Sequence, residues 1–276
     1  MKTGRYILFV LTLMVLTTFG QNSENKTAQM ETMQQSNETT PKMKVEIWSD
    51  VMCPFCYIGK RQYESALKEF ADSNHVEIVW KSFQLDPSVP EVATLSHTDY
   101  LVQRKGMSVE QVNGALENVT QYAQQVGLEY DLYNAVTVNT MKAHQLIQFA
   151  KTKGLGDQME ERLFRAFFVE SKNIADIATL TQLGTEVGLD EAELQVAFTD
   201  AYANLVKQDI QEAQQIGVTG VPFFVFDRKY AVSGAQPANV FLKTLEKSFS
   251  EWREKNPEIA LEIIQGKVCT PDGKCD

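Results

Sequence analysis

The sequence is short of positive charge, and its basic residues form no cluster. Its 276 residues carry 26 Lys and Arg against 36 Asp and Glu, a formal net charge of −10. Nucleic-acid affinity depends largely on Lys and Arg that neutralise phosphates, so this balance argues against nucleic acid as a partner. With 43% hydrophobic and 22% charged residues, the composition is typical of a globular protein with one or two domains.

The N-terminus has an apolar run that is too short to span a bilayer comfortably. Residues 6–19 follow Lys2 and Arg5, and a transmembrane helix needs about 20 apolar residues. A short apolar core after basic residues, with small residues up to Gly20, predicts a signal peptide over residues 1–20. The alternative is an uncleaved membrane anchor. A signal peptide implies an exported protein, periplasmic or extracellular, without stable membrane insertion.

Aromatic residues are absent from residues 21–43, which follow the predicted signal peptide. This segment also has no helical or strand periodicity. Such a composition buries too little apolar surface to fold, so we predict a disordered linker. The folded part is expected to start near Lys44.

Cysteine is scarce as well, with four residues: Cys53, Cys56, Cys269 and Cys275. Outside the cytoplasm, paired cysteines usually form disulfides that are either stable or exchanging. The first two lie in the sequence CPFC, and the last two lie close together in the tail.

The order of secondary-structure signals predicts an α/β domain interrupted by helices. Short β-rich runs at 44–48 and 76–83 flank the CxxC and a helical stretch. Helical spacing then dominates residues 93–210, and β-rich runs return at 221–226 and 230–234 before a final helix. The predicted segments are a first α/β part (44–92), a helical insertion (93–210), a second α/β part (211–255) and a tail (256–276).

Two stretches of the insertion carry specific helix signals. Ser108 and Gln111 have the spacing of a capping box, which predicts a helix start. Further along, Leu194, Phe198 and Leu205 have the spacing of an apolar stripe, which predicts the last helix of the insertion.

Cys53 directly follows a predicted strand and opens a predicted helix. The free N–H groups and partial positive charge of a helix N-terminus stabilise a thiolate. Cys56 lies about one turn further along, where it is shielded but able to attack a mixed disulfide formed at Cys53. Pro54 fits the first helical turn, where its missing N–H is not needed. We therefore interpret the pair as a redox site.

Two static roles for these cysteines are weaker alternatives. Zinc would need a second close pair, and the five residues between Cys269 and Cys275 make a wide spacing for a zinc knuckle. A structural disulfide between Cys53 and Cys56 would close a loop too short to constrain the chain much. We therefore predict no metal site.

The sequence GVTGVPFFVF places Val221 and Pro222 directly before a predicted strand. A cis bond between them would leave the backbone groups of Val221 free to pair with an extended substrate peptide beside Cys53. The alternative is an ordinary trans proline at the start of a strand.

Four segments together resemble the DsbA-like thiol-disulfide oxidoreductases, and most closely their FrnE-type branch. They are SDVMCPFCYIGK, SFQLDP, NTMKAHQL and GVTGVPFFVFDRKYAVSGAQP, within residues 44–250. The resemblance implies a thioredoxin-like fold of the α/β class with a large inserted all-helical domain. It also implies Cys53 as the nucleophile, Cys56 as the resolving cysteine and Pro222 as a cis-proline. The Pro-Phe pair between the cysteines departs from the Pro-Trp more common in this branch.

The resemblance further implies cysteine-containing protein substrates and a redox partner that resets the site. No cofactor is expected besides the redox-active disulfide, and glutathione is a candidate co-substrate. We expect a monomer, since no added dimerisation segment is visible. Kappa-class glutathione transferases and hydroxychromene-carboxylate isomerases share this architecture and use glutathione. They typically have serine at the position of Cys53, so the intact CPFC argues against them. A non-catalytic peptide-binding module is the other alternative.

Several further residues have weaker assignments. His144 lies on a predicted insertion helix and either steadies a thiolate or bonds to nearby backbone. Asp50 is expected to cap the turn before Cys53. Phe55 is a candidate for an apolar rim, and Trp48 belongs either to this rim or to the core. Phe55, Val221 and Pro222 are expected to contact substrate. Turn residues between Cys269 and Cys275 allow these two to meet, either as a closed disulfide or as a second redox pair that relays electrons to Cys53.

Overall fold

The computed structural model describes residues 41–258. The predicted signal peptide, nearly all of the predicted linker and the pair Cys269 and Cys275 lie outside the described residues. The assignments made for those segments therefore stay predictions. None of the helices within the described residues is both long and apolar enough to cross a membrane.

A four-stranded mixed sheet forms the centre of the fold. Its strands are β1 (Met43–Ser49), β2 (Val76–Ser82), β3 (Phe223–Phe226) and β4 (Tyr230–Ser233). In space they run in the order β2-β1-β3-β4. Strand β1 pairs parallel with β2 and antiparallel with β3, and β3 pairs antiparallel with β4. Three residues, 227–229, connect β3 to β4. Asp227 and Arg228 among them both adopt positive φ, as tight hairpin turns require.

Eight α-helices surround this sheet in the described part of the chain. They are α1 (Pro54–Glu69), α2 (His97–Lys105), α3 (Val109–Gln125), α4 (Met141–Thr152), α5 (Gly156–Phe168), α6 (Ile177–Glu186), α7 (Asp200–Gln215) and α8 (Ala238–Lys255). Helices α2 to α7 all follow β2 and precede β3 in the chain. This order confirms a thioredoxin-like α/β fold with a helical insertion. The predicted capping box is present at the start of α3, where the Ser108 side chain accepts from the Gln111 N–H.

The two faces of β1 pack against different elements. Alternate residues Met43, Val45 and Ile47 belong to the main core, as the two-residue period of a strand requires. On this side the Tyr63 ring of α1 packs against Phe224 of β3, with 5.6 Å between ring centroids. The opposite face of β1 contacts α7, so the sheet is buried on both sides.

Asp209 of α7 joins the insertion to the sheet. Its buried carboxylate accepts from the backbone N–H of Ser82 at 3.0 Å, from Lys81 at 2.9 Å and from the Gln148 amide of α4. One side chain thus connects β2, α4 and α7. Because a buried carboxylate is costly unless it is paired and hydrogen-bonded, this set of donors stabilises the docked insertion.

The prediction of a single last helix in the insertion is wrong in its bounds. The stripe of Leu194, Phe198 and Leu205 does not belong to a single helix. Residues Leu194–Phe198 form a 3-10 helix, and α7 starts only at Asp200. Thr199, between them, has an extended backbone that interrupts the helical path, and Leu205 is 39% exposed.

Gly59 lets α1 approach the loop before β3. A Cβ at this position would lie 2.9 Å from Pro222 Cγ and 3.4 Å from the Phe224 ring. The distance to Pro222 is too short for unstrained packing, so the glycine determines how closely helix and loop pack. Gly114, in α3, has no heavy atom within 4 Å of the corresponding position.

We expect Gly59→Ala to lower the free energy of unfolding by about 1–2 kcal/mol, because overpacking costs more than the helix propensity of alanine gains. Gly114→Ala is the matched control and should raise the free energy of unfolding by up to about 1 kcal/mol. Chemical denaturation of the two variants measures both values. Equal effects of the two substitutions would show that the contact with Pro222 imposes no constraint.

Candidate active site

The CPFC sequence forms the junction between β1 and α1. Cys53 is the N-cap of α1 with an extended backbone, and Pro54 is the first helical residue. The Cys53 N–H donates to the carbonyl of Asp50 at 2.9 Å, and the Cys56 N–H donates to the carbonyl of Cys53 at 3.0 Å. Cys53 therefore lies at the positive end of the helix dipole, as its position in the sequence predicts.

The two cysteines are free thiols and differ in burial. Cys53 is 5% exposed and Cys56 is 1% exposed, whereas Phe55 between them is 44% exposed. Burial raises the pKa of Cys56 well above its ordinary value, with a further rise from Cys53, and hydrogen bonds from Asp50 and Ser49 partly counteract it. Cys53 is thus the more accessible thiol, and Cys56 is the shielded one.

The loop before β3 lies against Cys53. The Cys53 thiol is 3.5 Å from the carbonyl oxygen of Val221 and donates to it. The Val221–Pro222 peptide bond is cis, as the family resemblance implies. The Pro222 carbonyl accepts from the Gly234 N–H at 2.8 Å, which attaches the loop to the end of β4. The fold therefore brings Val221 and Pro222 to the cysteine pair, from which they are separated by more than 160 residues.

His144 reaches the active site through Asp50. Its Nε2 lies 3.4 Å from Asp50 Oδ1, and the other carboxylate oxygen of Asp50 accepts from the Leu85 N–H at 2.7 Å. Burial alone would lower the pKa of His144, but Asp50, with Glu160 and the Phe83 backbone, raises it above its ordinary value. The side chain of Asp50 thus pairs with His144, while its backbone carbonyl caps the turn before Cys53.

An aromatic stack supports the first turn of α1. The Tyr130 hydroxyl donates to the Pro54 carbonyl at 2.8 Å. Its ring stacks on Phe168 of α5 at 4.7 Å between centroids, and Tyr57 of α1 stacks on Phe164 at 4.8 Å. Sequence reasoning missed Tyr130, because it lies in the irregular segment between α3 and α4.

Of the two alternatives for Trp48, the structure supports the core and rules out the apolar rim. Trp48 is fully buried in a small cluster with Ala213, Val218 and Val225, on the α7 side of the sheet. Its indole N–H donates to the Asp209 carbonyl at 2.9 Å. Strand alternation turns this residue away from the cysteines, so the rim is formed by Phe55 and by residues of the insertion.

An apolar groove of about 300 Å³ adjoins the cysteine pair. Thirteen residues line it: Met52, Pro54, Phe55, Leu85, His97, Tyr100, Leu101, Lys105, Met107, Ala115, Leu116, Val119 and Leu132. Most are apolar. They come from the CPFC turn, from α2 and α3, and from connecting segments that contribute Leu85, Met107 and Leu132. The groove thus has an active-site wall and an insertion wall. Within residues 41–258, no group of three or more His, Cys, Asp or Glu side chains is arranged to hold a metal ion.

The thioredoxin-like fold with a CxxC at a helix N-terminus defines the class of the protein. The chain belongs to the DSBA-like thioredoxin domain family, whose model matches residues 44–246. Its assignment to the FrnE-type branch of this family stays a prediction.

Three known proteins are similar to this chain, two in sequence and one in fold alone. The uncharacterized protein YwbO of Bacillus subtilis is 31% identical over 217 residues, which are 76% of this chain and 98% of YwbO. A crystal structure described as a probable DsbA oxidoreductase from Streptomyces coelicolor is 37% identical, with a TM-score of 0.71, covering 85% of this chain and 98% of that one. The cytosolic disulfide reductase DsbM from Pseudomonas aeruginosa shares the fold at 17% identity and a TM-score of 0.54, covering 75% and 99%.

We expect the contribution of His144 to stability to depend on pH. A histidine with a raised native pKa stabilises the fold below its unfolded-state pKa, near 6.5, and this contribution is lost as the pH rises through the native pKa. His144→Gln should therefore lower the free energy of unfolding by about 3–5 kcal/mol at acidic pH, the usual cost of breaking a buried ion pair. At alkaline pH the loss should be smaller. Denaturation across the pH range measures this.

His97→Gln provides the matched control with the opposite sign. Burial lowers the pKa of His97 to about 4, so the cost of replacing it should shrink as the pH falls below about 6.5. A cost for His144→Gln that is constant with pH, or that grows in alkali, would contradict the assigned pair with Asp50.

Proposed function

We propose that the protein is a thiol-disulfide oxidoreductase that exchanges disulfides with cysteine-containing protein substrates. One observation carries the proposal: Cys53 caps α1 with its thiol 3.5 Å from the Val221 carbonyl, while Cys56 is buried one turn behind it. A helix N-terminus favours the thiolate, which is the nucleophile in exchange. The neighbouring backbone of Val221 offers a strand edge on which a substrate peptide can align.

The exchange consists of two substitutions at sulfur. The Cys53 thiolate attacks a substrate disulfide, a bond forms between Cys53 and one substrate sulfur, and the other substrate sulfur leaves as a thiolate. Cys56 then loses its proton and attacks Cys53. The Cys53–Cys56 disulfide forms, and the substrate leaves with both sulfurs reduced.

A redox partner resets the site by reducing Cys53–Cys56. In reverse, the same steps oxidise a substrate dithiol, and the partner then reoxidises the pair. The direction follows from the reduction potential of the pair, which equilibration with a glutathione buffer measures. Because the cysteine pair itself carries the two electrons, the proposal includes no resident cofactor. Those glutathione transferases and isomerases typically have serine where this protein has Cys53, which also distinguishes the proposed function from theirs.

In this proposal the protein acts outside the cytoplasm, because residues 1–20 have the sequence pattern of a signal peptide. Substrate disulfides persist in such a compartment. The proposed working form is a monomer.

The apolar groove is the proposed binding site for the side chain next to the substrate cysteine. It starts at Phe55 and Met52, directly beside Cys53, and continues to Met107. An apolar side chain bound there would be removed from water, which stabilises binding by about 25 cal/mol per Å² of apolar area buried. The groove thus favours substrates with an apolar residue beside the reacting cysteine.

We expect Cys56→Ser to trap substrates on Cys53 as mixed disulfides, because the resolving thiol is lost while the nucleophile remains. Cys53→Ser should form no such adducts and should reduce exchange to background. Mass spectrometry under non-reducing conditions, with an oxidised peptide as substrate, measures both. Full exchange activity in Cys53→Ser would reject the proposed function.

We expect Met107→Lys to raise KM for a disulfide peptide with an apolar residue beside its cysteine by roughly 10-fold, the effect of losing one apolar pocket contact. Val109→Lys is the matched control, since Val109 is exposed and does not line the groove. Steady-state kinetics of both variants give the comparison. An unchanged KM in Met107→Lys would place the substrate elsewhere.

A further inference from the structure

A histidine with one unpaired ring nitrogen lies in the wall of the apolar groove. His97 is the first residue of α2, is 7% exposed, and is one of the thirteen residues that line the groove. Its Nδ1 lies 2.8 Å from the hydroxyl of Thr137, which is itself only 4% exposed. The second ring nitrogen, Nε2, has no hydrogen-bond partner among residues 41–258. The wall of the groove therefore contains an open hydrogen-bonding position.

Neighbouring aromatic rings hold the His97 ring in one orientation. Tyr100 stacks on it with 6.4 Å between centroids, and Phe167 contacts it edge-on at the same distance. The two nitrogens of an imidazole point in diverging directions. Thr137, which binds Nδ1, lines the adjoining cavity on the other side of Tyr100, whereas His97 lines the groove. Nε2 is therefore directed toward the groove.

The His97 ring is uncharged at neutral pH, because burial lowers its pKa to about 4. A neutral imidazole has one N–H donor and one acceptor nitrogen, and the hydrogen bond with Thr137 uses one of the two. Nε2 is thus either a donor or an acceptor, depending on which way the Thr137 hydroxyl is turned. A ligand hydroxyl, which both donates and accepts, can bind Nε2 in either case.

We propose that the groove binds a tyrosine side chain next to the substrate cysteine, and that Nε2 of His97 forms a hydrogen bond with the tyrosine hydroxyl. The inference rests on the proposed function and deepens it, because it names the side chain that the groove selects. The tyrosine ring would be buried against the apolar lining. Its hydroxyl would supply the partner that Nε2 lacks, and the fixed orientation of the His97 ring reduces the entropic cost of forming this bond.

Other side chains fit this lining less well. Phenylalanine or leucine would fill the apolar part but leave Nε2 buried without a partner, which is unfavourable. Lysine or arginine would bring a like charge to Lys105, the one charged side chain among the thirteen lining residues. Aspartate or glutamate would bury a carboxylate beside an uncharged ring. The Tyr100 hydroxyl does not compete for the ligand, because it donates to Asp86 at 3.1 Å.

The test uses the full chain with Cys56→Ser as the reference protein, so that the reaction stops at the mixed disulfide on Cys53. The substrates are pairs of peptides that differ only in tyrosine or phenylalanine next to their single cysteine. One pair has this residue before the cysteine, and a second pair has it after. Each cysteine is activated as a disulfide with the coloured thiol thionitrobenzoate. Attack by Cys53 on the peptide sulfur releases this thiolate, and Cys53→Ser gives the background from other thiols.

In the reference protein, the second-order rate constant for the tyrosine peptide should exceed that for the phenylalanine peptide by roughly 10-fold in one of the two pairs, the effect of one buried hydrogen bond. His97→Phe, added to the reference protein, keeps an aromatic ring but removes Nε2, so the ratio should fall to about 1. Because this ratio compares two substrates on the same protein, a general loss of structure or reactivity would not change it.

His75→Phe makes the same chemical change away from the groove and is the matched control. His75 packs near Phe249, with 6.2 Å between ring centroids, and does not line the groove, so the preference for tyrosine should remain. Equal rate constants within both peptide pairs in the reference protein would overturn the inference, whether or not His97→Phe folds. A preference that survives in His97→Phe would overturn it as well. Release of thiolate no faster than in Cys53→Ser would reject the proposed function itself.

Discussion

The close packing of α1 against the loop before β3 is the contact on which the site depends. Cys53 caps the helix and directs its thiol at the Val221 carbonyl. Six residues further along, Gly59 leaves the space that Pro222 occupies. A side chain at Gly59 would move helix and loop apart, and the thiol would then lose its position beside a backbone edge. The nucleophile and its neighbouring peptide-binding edge are thus fixed by the same contact.

The inserted helices form the other side of the site. Tyr130 holds the Pro54 carbonyl, His144 pairs with Asp50, and Glu160 accepts from Ser49. These three residues come from the segment between β2 and β3, and they contact the end of β1 or the start of α1. The insertion therefore determines the polarity behind the cysteines, while the sheet and the β3 loop determine what lies in front of them.

Apolar and polar side chains lie on different sides of the cysteine pair. The groove beside Phe55 is lined mostly by apolar side chains, so it can bind apolar groups through the hydrophobic effect. Behind Cys56, the polar groups are buried and hydrogen-bonded, and electrostatic interactions are stronger there than in water. This separation keeps the buried polar groups away from solvent on the substrate side.

Local signals in the sequence were sufficient for much of the fold, because they depend on residues that are neighbours in the chain. The CPFC start of α1 and the capping box at Ser108 are of this kind, and both are present as expected. The resemblance to a known family added support for Pro222 as a cis-proline, and this bond is cis in the structure. The interruption at Thr199 was missed, since an apolar stripe continues across a short 3-10 helix and into α7 without a change of spacing.

The sequence by itself determined the cysteine pair, its place at a helix start and the order of strands and helices. Only the tertiary structure decided which side of the sheet Trp48 faces, because β1 is buried on both faces and apolar alternation cannot distinguish them. It also decided what Gly59 and Glu160 contact. Ser49 and Glu160 are 111 residues apart in the chain. No local pattern encodes a hydrogen bond at that separation, since it exists only after the insertion has packed onto the sheet.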